Sequence, residues 1–250
     1  MSKQNKTAKN KRGQNKYTRK NYPPSGNKNG VTSQMRKSYI NNLKRNYPNC
    51  RHDGEPSDSY EGHCVTYGEM EYNGIQQYAT TIFRLFSHGK RNIGTNEHIF
   101  IDIGCGNGKF PLFMASYPCI KRSIGIELVK SRYENSQNLL SSLSVNFGEI
   151  TQKVEFFNMD MLKFNFRETA NGVPCFIWIS NLCFPSDITH KLFDKLHEEL
   201  PEGSIIGCSK HPFNGEQTSP DKQQFHFMKK IHIPMSWKKE GSEVFFFTVK

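Results

Sequence analysis

The chain has 250 residues, enough for one substantial domain with appendages, and a formal net charge of +11 at pH 7. It has no run of 18 or more apolar residues, and no hydrophobic segment follows the basic N-terminus, so neither a membrane span nor a secretory signal is expected. Seven cysteines without a C-x-x-C pair point to a reducing compartment rather than a disulfide framework or zinc ribbon, and nine scattered histidines without H-E-x-x-H give no metal site.

The charge is unevenly placed. Residues 1–50 hold 13 Lys or Arg and no acid, while residues 51–250 hold 21 basic and 23 acidic residues, a net of −2. A nearly neutral body thus carries a cationic arm. Rich in Lys, Asn, Gln, Ser and Gly, the arm cannot bury enough apolar surface to fold alone, which predicts a largely disordered segment over 1–50 and a folded domain over 51–250. Lys3, Lys6, Lys9, Lys11, Arg12, Lys16, Arg19 and Lys20 suit a polyanion whose counterions they would release whatever its base sequence. A solubilising tail or nuclear-import signal is the plainer reading of the same residues. The total absence of opposite charge favours nucleic acid.

In chain order, Tyr39–Tyr47 can form a short helix that Pro48 would end, and "NCRHDGEPSDS" reads as loop. Between Gly74 and Phe86, Ile75, Tyr78, Ile82 and Phe86 fall at helical spacing. Strands are predicted at Ile99–Gly104, Ser123–Leu128, Val154–Asp160, Cys175–Ser180 and Ser204–Ser209. Helices follow at "KFPLFMASY", at "KSRYENSQNLLSSL" and from about Asp187 to Leu200. "KIHIPM" and "EVFFFTV" add two strands with too little chain between them for a parallel crossover. This alternation predicts an α/β fold: a Rossmann-like, mainly parallel seven-stranded sheet with an antiparallel C-terminal strand.

"FIDIGCGNGKF" places Asp102 just before Gly104, Gly106 and Gly108 at a strand-to-helix junction. The glycines allow a tight turn and close approach of a ligand; alone they are weak evidence, and Phe110 after Lys109 excludes a P-loop. The acid is informative, because a carboxylate beside phosphates would repel them. S-adenosylmethionine carries no phosphate but an ammonium and a sulfonium. Glu127, ending the second strand, can accept both ribose hydroxyls. Asp160, ending the third, can take the adenine amino group with the Met161 backbone beside the ring. Each acid alone could be a helix cap. Three at successive strand ends converge on the edge where open sheets bind ligands, which favours an S-adenosylmethionine site over chance capping.

The fourth strand end, "IWISNLCFPSDITH", should then face the transferred methyl. Enzymes that methylate amino groups of nucleobases usually carry Asn or Asp followed by Pro-Pro and an aromatic; this stretch lacks the double proline. From "TYGEM" to "FFFTV", about three quarters of the chain, the sequence resembles the disruptor-of-telomeric-silencing (Dot1-like) histone methyltransferases, lysine methyltransferases without a SET domain. The resemblance rests on "YGE", "IDIGCGNG", "IGIE", "NMDML", "WISNLCFPSDITHKL", "PEGSIIGCSKHPF" and the late "SW…FFFTV", in the family's order. It implies cofactor contacts at Asp102, Gly104, Gly106, Glu127 and Asp160, and closure over the methionine end by Tyr67 and Glu69. It also implies a narrow lysine channel lined by Trp178, Phe184 and Trp237. Where the family shows two consecutive Asn near the methyl, this chain has Ser180 and Asn181, so either could orient the acceptor amine. The folded part before "YGE" is shorter than in animal members.

The resemblance further implies that the acceptor is the lysine at position 79 of histone H3 on the nucleosome; on that reading the basic arm, by its charge, would hold nucleosomal DNA, and the protein would work in the nucleus (a host nucleus if the source is viral). A monomer without metal or membrane is expected. The alternatives are methylation of RNA or a non-histone protein, or a nucleic-acid binding module with a degenerate methyltransferase fold; intact Asp102, Glu127 and Asp160 argue against degeneration.

Overall fold

Short apolar runs rich in Ile, Phe and Val form the strands of one sheet, and the periodic segments between them cover both faces. The structure, a computed structural model, describes residues 31–48, 59–60, 63–64, 68–88, 98–213, 224–236 and 238–250. Helix α1 is Ser33–Asn46, followed by a two-residue pair of strands, β1 (Ser59–Tyr60) and β2 (His63–Cys64). Helix α2 (Tyr72–His88) leads to β3 (His98–Ile103), α3 (Lys109–Ala115), β4 (Ile120–Glu127) and α4 (Lys130–Thr151). Then come β5 (Val154–Asn158), a 3₁₀ turn (Met161–Lys163), α5 (Phe166–Ala170), β6 (Cys175–Ile179), α6 (Ser186–Glu199), β7 (Ile205–Cys208), β8 (Phe225–Met235) and β9 (Lys238–Val249).

The seven-stranded sheet has the order β5-β4-β3-β6-β7-β9-β8. β3 pairs in parallel with both β4 and β6, so the strand order reverses at β3, the position where open α/β sheets form a crevice. β9 inserts between β7 and β8 and is antiparallel to each, so it alone opposes the other six. The expected fold class is therefore the observed one. Of the predicted last pair, only the final strand runs against the rest.

Side chains alternate across the sheet, which divides the core. Phe100, Phe176 and Trp178 pack with α1–α4, while Ile99, Ile101 and Ile103 pack with α5 and α6. Asp102 has the parity of Phe100 and so lies on the α1–α4 face. α4 extends well beyond Leu143, through a non-helical Phe147, because Ile150 and Thr151 are buried behind that break.

The domain boundary expected at residue 50 is corrected by α1. Val31–Lys250 cluster as one unit, within which Tyr39 and Leu43 are fully buried. Thr32 caps α1, accepting from the Met35 amide at 3.1 Å. The Tyr39 hydroxyl donates to the Leu112 carbonyl at 2.9 Å, and its ring meets Phe147 edge-on. The Arg36 guanidinium lies 4.1 Å from the Tyr117 ring centre. Composition averaged over 50 residues hides this apolar stripe, whose i, i+4 members Tyr39 and Leu43 meet α3 and α4. The eight basic residues from Lys3 to Lys20 lie outside the described residues.

If α1 is part of the core, Leu43→Ala should lower unfolding free energy by about 3 kcal/mol in urea titration, with the m-value unchanged. An appended helix would leave the midpoint where it was.

Candidate functional site

At the carboxyl edge of β3, β4 and β6 a cleft opens, lined among others by Asp102, Gly104, Gly106, Glu127, Asp160, Met161, Ser180 and Phe184. Two positive-φ glycines shape its floor, Gly104 (78°) and Gly106 (55°), and a third, Gly108 (83°), closes the turn into α3. The amides of Gly104 and Cys105 both donate to the Ile126 carbonyl, at 2.9 and 3.1 Å, which fastens the loop to β4. A Cβ on Gly104 would meet one atom within 4 Å, Phe184 Cζ at 3.9 Å, so its free side is the cleft itself. A Cβ on Gly108 would strike the Phe156 ring at 2.5 Å, so that glycine serves packing instead.

The three acids have different environments. Asp102 is 2% exposed, and its Oδ1 is buried without a hydrogen-bond partner. Burial, then the charges of Glu127 and Glu69, hold its carboxyl well above the ordinary carboxylate range. Glu127 accepts from the Val129 amide (Oε1, 2.9 Å) and the Gly106 amide (Oε2, 2.8 Å), so it orders the glycine loop from the neighbouring strand. Burial raises its pKa, opposed by those two bonds and by Arg132. Asp160 accepts from the Leu162 amide at 2.9 Å, so it caps the 3₁₀ turn as well as lining the cleft.

At the opposite lip Ser180 and Asn181 part company. Ser180 is half-buried and lines the cleft. Asn181 is fully buried, and its amide is occupied elsewhere: Oδ1 accepts from the Lys210 amide at 2.9 Å and Nδ2 donates to the Lys210 carbonyl at 3.0 Å. It therefore binds the end of β6 to the segment after β7. Phe184 faces Gly104 across the opening. Trp178, beside Asp102 in register, has its edge on the cleft, but its ring belongs to the core, in T-shaped contact with Tyr78. Tyr67 and Trp237 lie outside the described residues.

Several groups at the site were not anticipated from sequence. Lys109, 3% exposed, forms an ion pair with Glu69 at 2.5 Å, and both line the cleft. The other oxygen of Glu69 accepts from the Tyr47 hydroxyl at 2.7 Å. Arg132, also buried, lines the wall near Glu127. One signal was available: "KFPLFMA" is apolar apart from Lys109, and a lysine in a wholly buried helix needs an anion.

A buried, unpartnered carboxylate oxygen with two further carboxylates nearby disfavours phosphates and favours a cation. The glycine whose missing side chain opens the floor gives the backbone room to approach an adenosyl group. S-adenosylmethionine fits this donor set: Asp102 for positive charge, Glu127 and Asp160 for the nucleoside. Among the described residues no group of His, Cys, Asp and Glu could hold a metal ion, and no helix is long and apolar enough to cross a membrane.

The raised pKa of Asp102 fixes the sign of a proton linkage. A bound cation lowers that pKa, so binding releases a proton and tightens as pH rises through the window above the ordinary carboxylate range. Titrating S-adenosylhomocysteine, which keeps the ammonium, in two buffers of different ionisation enthalpy should reveal the release, and Asp102→Asn should abolish it while weakening binding about tenfold or more. Gly104→Arg should remove measurable binding with the circular dichroism spectrum retained; normal binding would misplace the loop.

The family model described as Histone methylation protein DOT1 matches residues 59–244. A Caenorhabditis elegans protein, "Histone-lysine N-methyltransferase, H3 lysine-79 specific", is 28% identical over 122 residues, covering 48% of this chain but only 13% of that protein. Among solved structures, M. capricolum TrmK with S-adenosyl-homocysteine matches with a TM-score of 0.51 at 12% identity, over 72% of this chain and 69% of that one. An RNA methyltransferase from Salinibacter ruber with S-adenosyl-L-homocysteine gives 0.46 at 15% identity, over 68% and 90%. The TrmK likeness is one of fold, the class I methyltransferase sheet. The family match spans well over half of the sequence and includes both the glycine loop and the lip: this chain belongs to the DOT1 family of histone methylation proteins.

Proposed function

We propose that this protein is an S-adenosylmethionine-dependent lysine N-methyltransferase acting on nucleosomes, with a histone H3 core lysine as acceptor and the basic arm on nucleosomal DNA. The observation that carries the reading is the single cleft joining a buried, unpartnered carboxylate at Asp102 to a lip made by Ser180 and Phe184, in a chain of the DOT1 family. The name of the Caenorhabditis elegans relative supports position 79 of that histone as the acceptor. Such a substrate places the protein in the nucleus.

When bound, the cofactor would supply a sulfonium-bound methyl, open to in-line attack on its carbon by a neutral amine, with the C–S bond breaking to leave S-adenosylhomocysteine as a neutral thioether. The protein's part is binding, alignment and dehydration. Asp102 and Glu127 would hold the cofactor's polar groups, and the glycine loop would let it lie close to the backbone. Phe184 narrows the opening opposite Gly104, leaving little room for water around an incoming alkyl chain. A free lysine has a pKa of about 10.4, so most of it is charged at neutral pH. An apolar passage beside a positive centre disfavours that charge by desolvation and by repulsion, so the proton leaves to water before transfer. No strong base is needed at the lip, and Ser180 is suited to accepting a hydrogen bond from the amine. Alignment then supplies much of the acceleration, as effective molarities reach about 10⁵ M or more.

Labelled S-adenosylmethionine offered to nucleosomes, free histones and RNA tests this directly. Label should enter histone H3 of the nucleosome, at a lysine identified by mass spectrometry, and fall by about tenfold or more in Ser180→Ala but not through loss of cofactor binding. Label in RNA alone would overturn the reading. Replacing the eight basic residues from Lys3 to Lys20 with Gln should weaken nucleosome binding and flatten its dependence on salt; an unchanged salt slope would take the arm off the DNA.

A further inference from the structure

Tyr47 follows the last turn of α1 and is not among the cleft's lining, yet every polar group it has is engaged. Its amide donates to the Leu43 carbonyl at 2.8 Å, and its carbonyl accepts from the Tyr72 hydroxyl at 2.5 Å. Its own hydroxyl donates to Glu69 Oε1 at 2.7 Å and accepts from Asn107 Nδ2 at 2.9 Å. Asn107 in turn accepts, at Oδ1, from Asn135 Nδ2 of α4 at 3.1 Å. The relay crosses α4, the glycine loop, the end of α1 and the segment before α2.

We infer that Tyr47 is a positioning residue for the cofactor site: it fixes the Glu69 carboxylate against the glycine loop and so ties the end of α1 to the cleft wall from behind. The inference rests on the S-adenosylmethionine reading given above. Its polarity argues for it. An ionised carboxylate only accepts, so Tyr47 must give Glu69 its single proton and can only accept from Asn107; each member therefore has one orientation, set by Glu69. Lys109 could not do this alone. Its ammonium is a point charge on a flexible stem and attracts the carboxylate without fixing its plane. A second donor on the other oxygen does fix it. The backbone is pinned from the opposite side, where the Ser236 hydroxyl accepts from the Glu69 amide at 3.1 Å and the Ser236 amide donates to the Glu69 carbonyl at 2.8 Å. Main chain and side chain of Glu69 are thus held by different parts of the fold, and the side-chain half depends on α1. Glu69 also adds to the charge that raises the Asp102 pKa, so a displaced Glu69 changes the field at the acid that faces the cofactor.

The test is a double-mutant cycle in the full chain, with S-adenosylhomocysteine binding measured by calorimetry and Tm measured for each variant. Tyr47→Phe keeps the ring and removes the hydroxyl; it should weaken binding about tenfold. Glu69→Gln should weaken it at least as much. Together they should be no weaker than Glu69→Gln alone, because Tyr47 acts through Glu69. Phe193→Leu, buried on the opposite face of the sheet, serves as a comparison for general destabilisation and should leave affinity unchanged. Additive losses, an unaffected Tyr47→Phe, or an equal loss in Phe193→Leu at matched Tm would each overturn the inference. A wild-type chain that does not bind S-adenosylhomocysteine overturns the cofactor reading and this inference with it; a wild type that binds no better than Tyr47→Phe overturns the inference alone.

Discussion

Putting a carboxylate inside a protein without a partner for one of its oxygens works against folding, and Asp102 does so at the centre of the sheet. The neighbours make its situation worse, since Glu127 and Glu69 both add negative potential. What surrounds Asp102 can be understood as support for that arrangement. The Gly106 and Val129 amides stabilise Glu127, the Lys109 ammonium offsets Glu69, and Trp178 and Phe110 exclude water behind them. The site is left with a buried carboxyl group whose ionisation is disfavoured until a positive charge faces it across the cleft, which is what a cationic, phosphate-free ligand supplies.

The sheet makes this possible through its order. Because β3 lies between β4 and β6 and both are parallel to it, the loops leaving β3 and β6 diverge and leave an opening between them. Asp102 comes from the first strand, Glu127 from the second, and Ser180 follows the fourth, so one edge gathers residues distant in sequence without any long irregular segment. The helices contribute in the same economical way. α3 is buried along its whole length and brings Lys109 to the wall at its first residue.

The alternation of strands and helices was legible because each strand is a short apolar run with a turn at its end, and the three acids were legible because strand ends are where an acid has no packing role. Other features depended on contacts between residues far apart. Tyr47 meets Glu69 across 22 positions of sequence, and nothing in "NLKRNYP" marks the tyrosine as other than a helix end. The distinction between Ser180 and Asn181 was equally invisible, since it rests on the Lys210 backbone, which only the pairing of β6 with β7 brings near. The N-terminal boundary was misplaced because charge composition is an average: α1 shares its lysines with the arm, but two of its residues, Tyr39 and Leu43, commit it to the core.

The placement of β9 bears on the order in which the molecule can be assembled. β8 precedes β9 in the chain, yet its place in the sheet is beyond β9, so β8 can pair with β9 as a hairpin but joins the sheet only when residues 238–249 are laid against β7. Until then β7 is an unprotected edge, an aggregation hazard of the kind that non-local pairings create. The same late event completes the cleft, because Ser236, in the connection from β8 to β9, holds the backbone of Glu69. A nascent chain with Asp102, Glu127 and Asp160 already synthesised would therefore still lack the Ser236 bonds to Glu69, and the wall would be finished by the connection into the last strand rather than by the glycine loop.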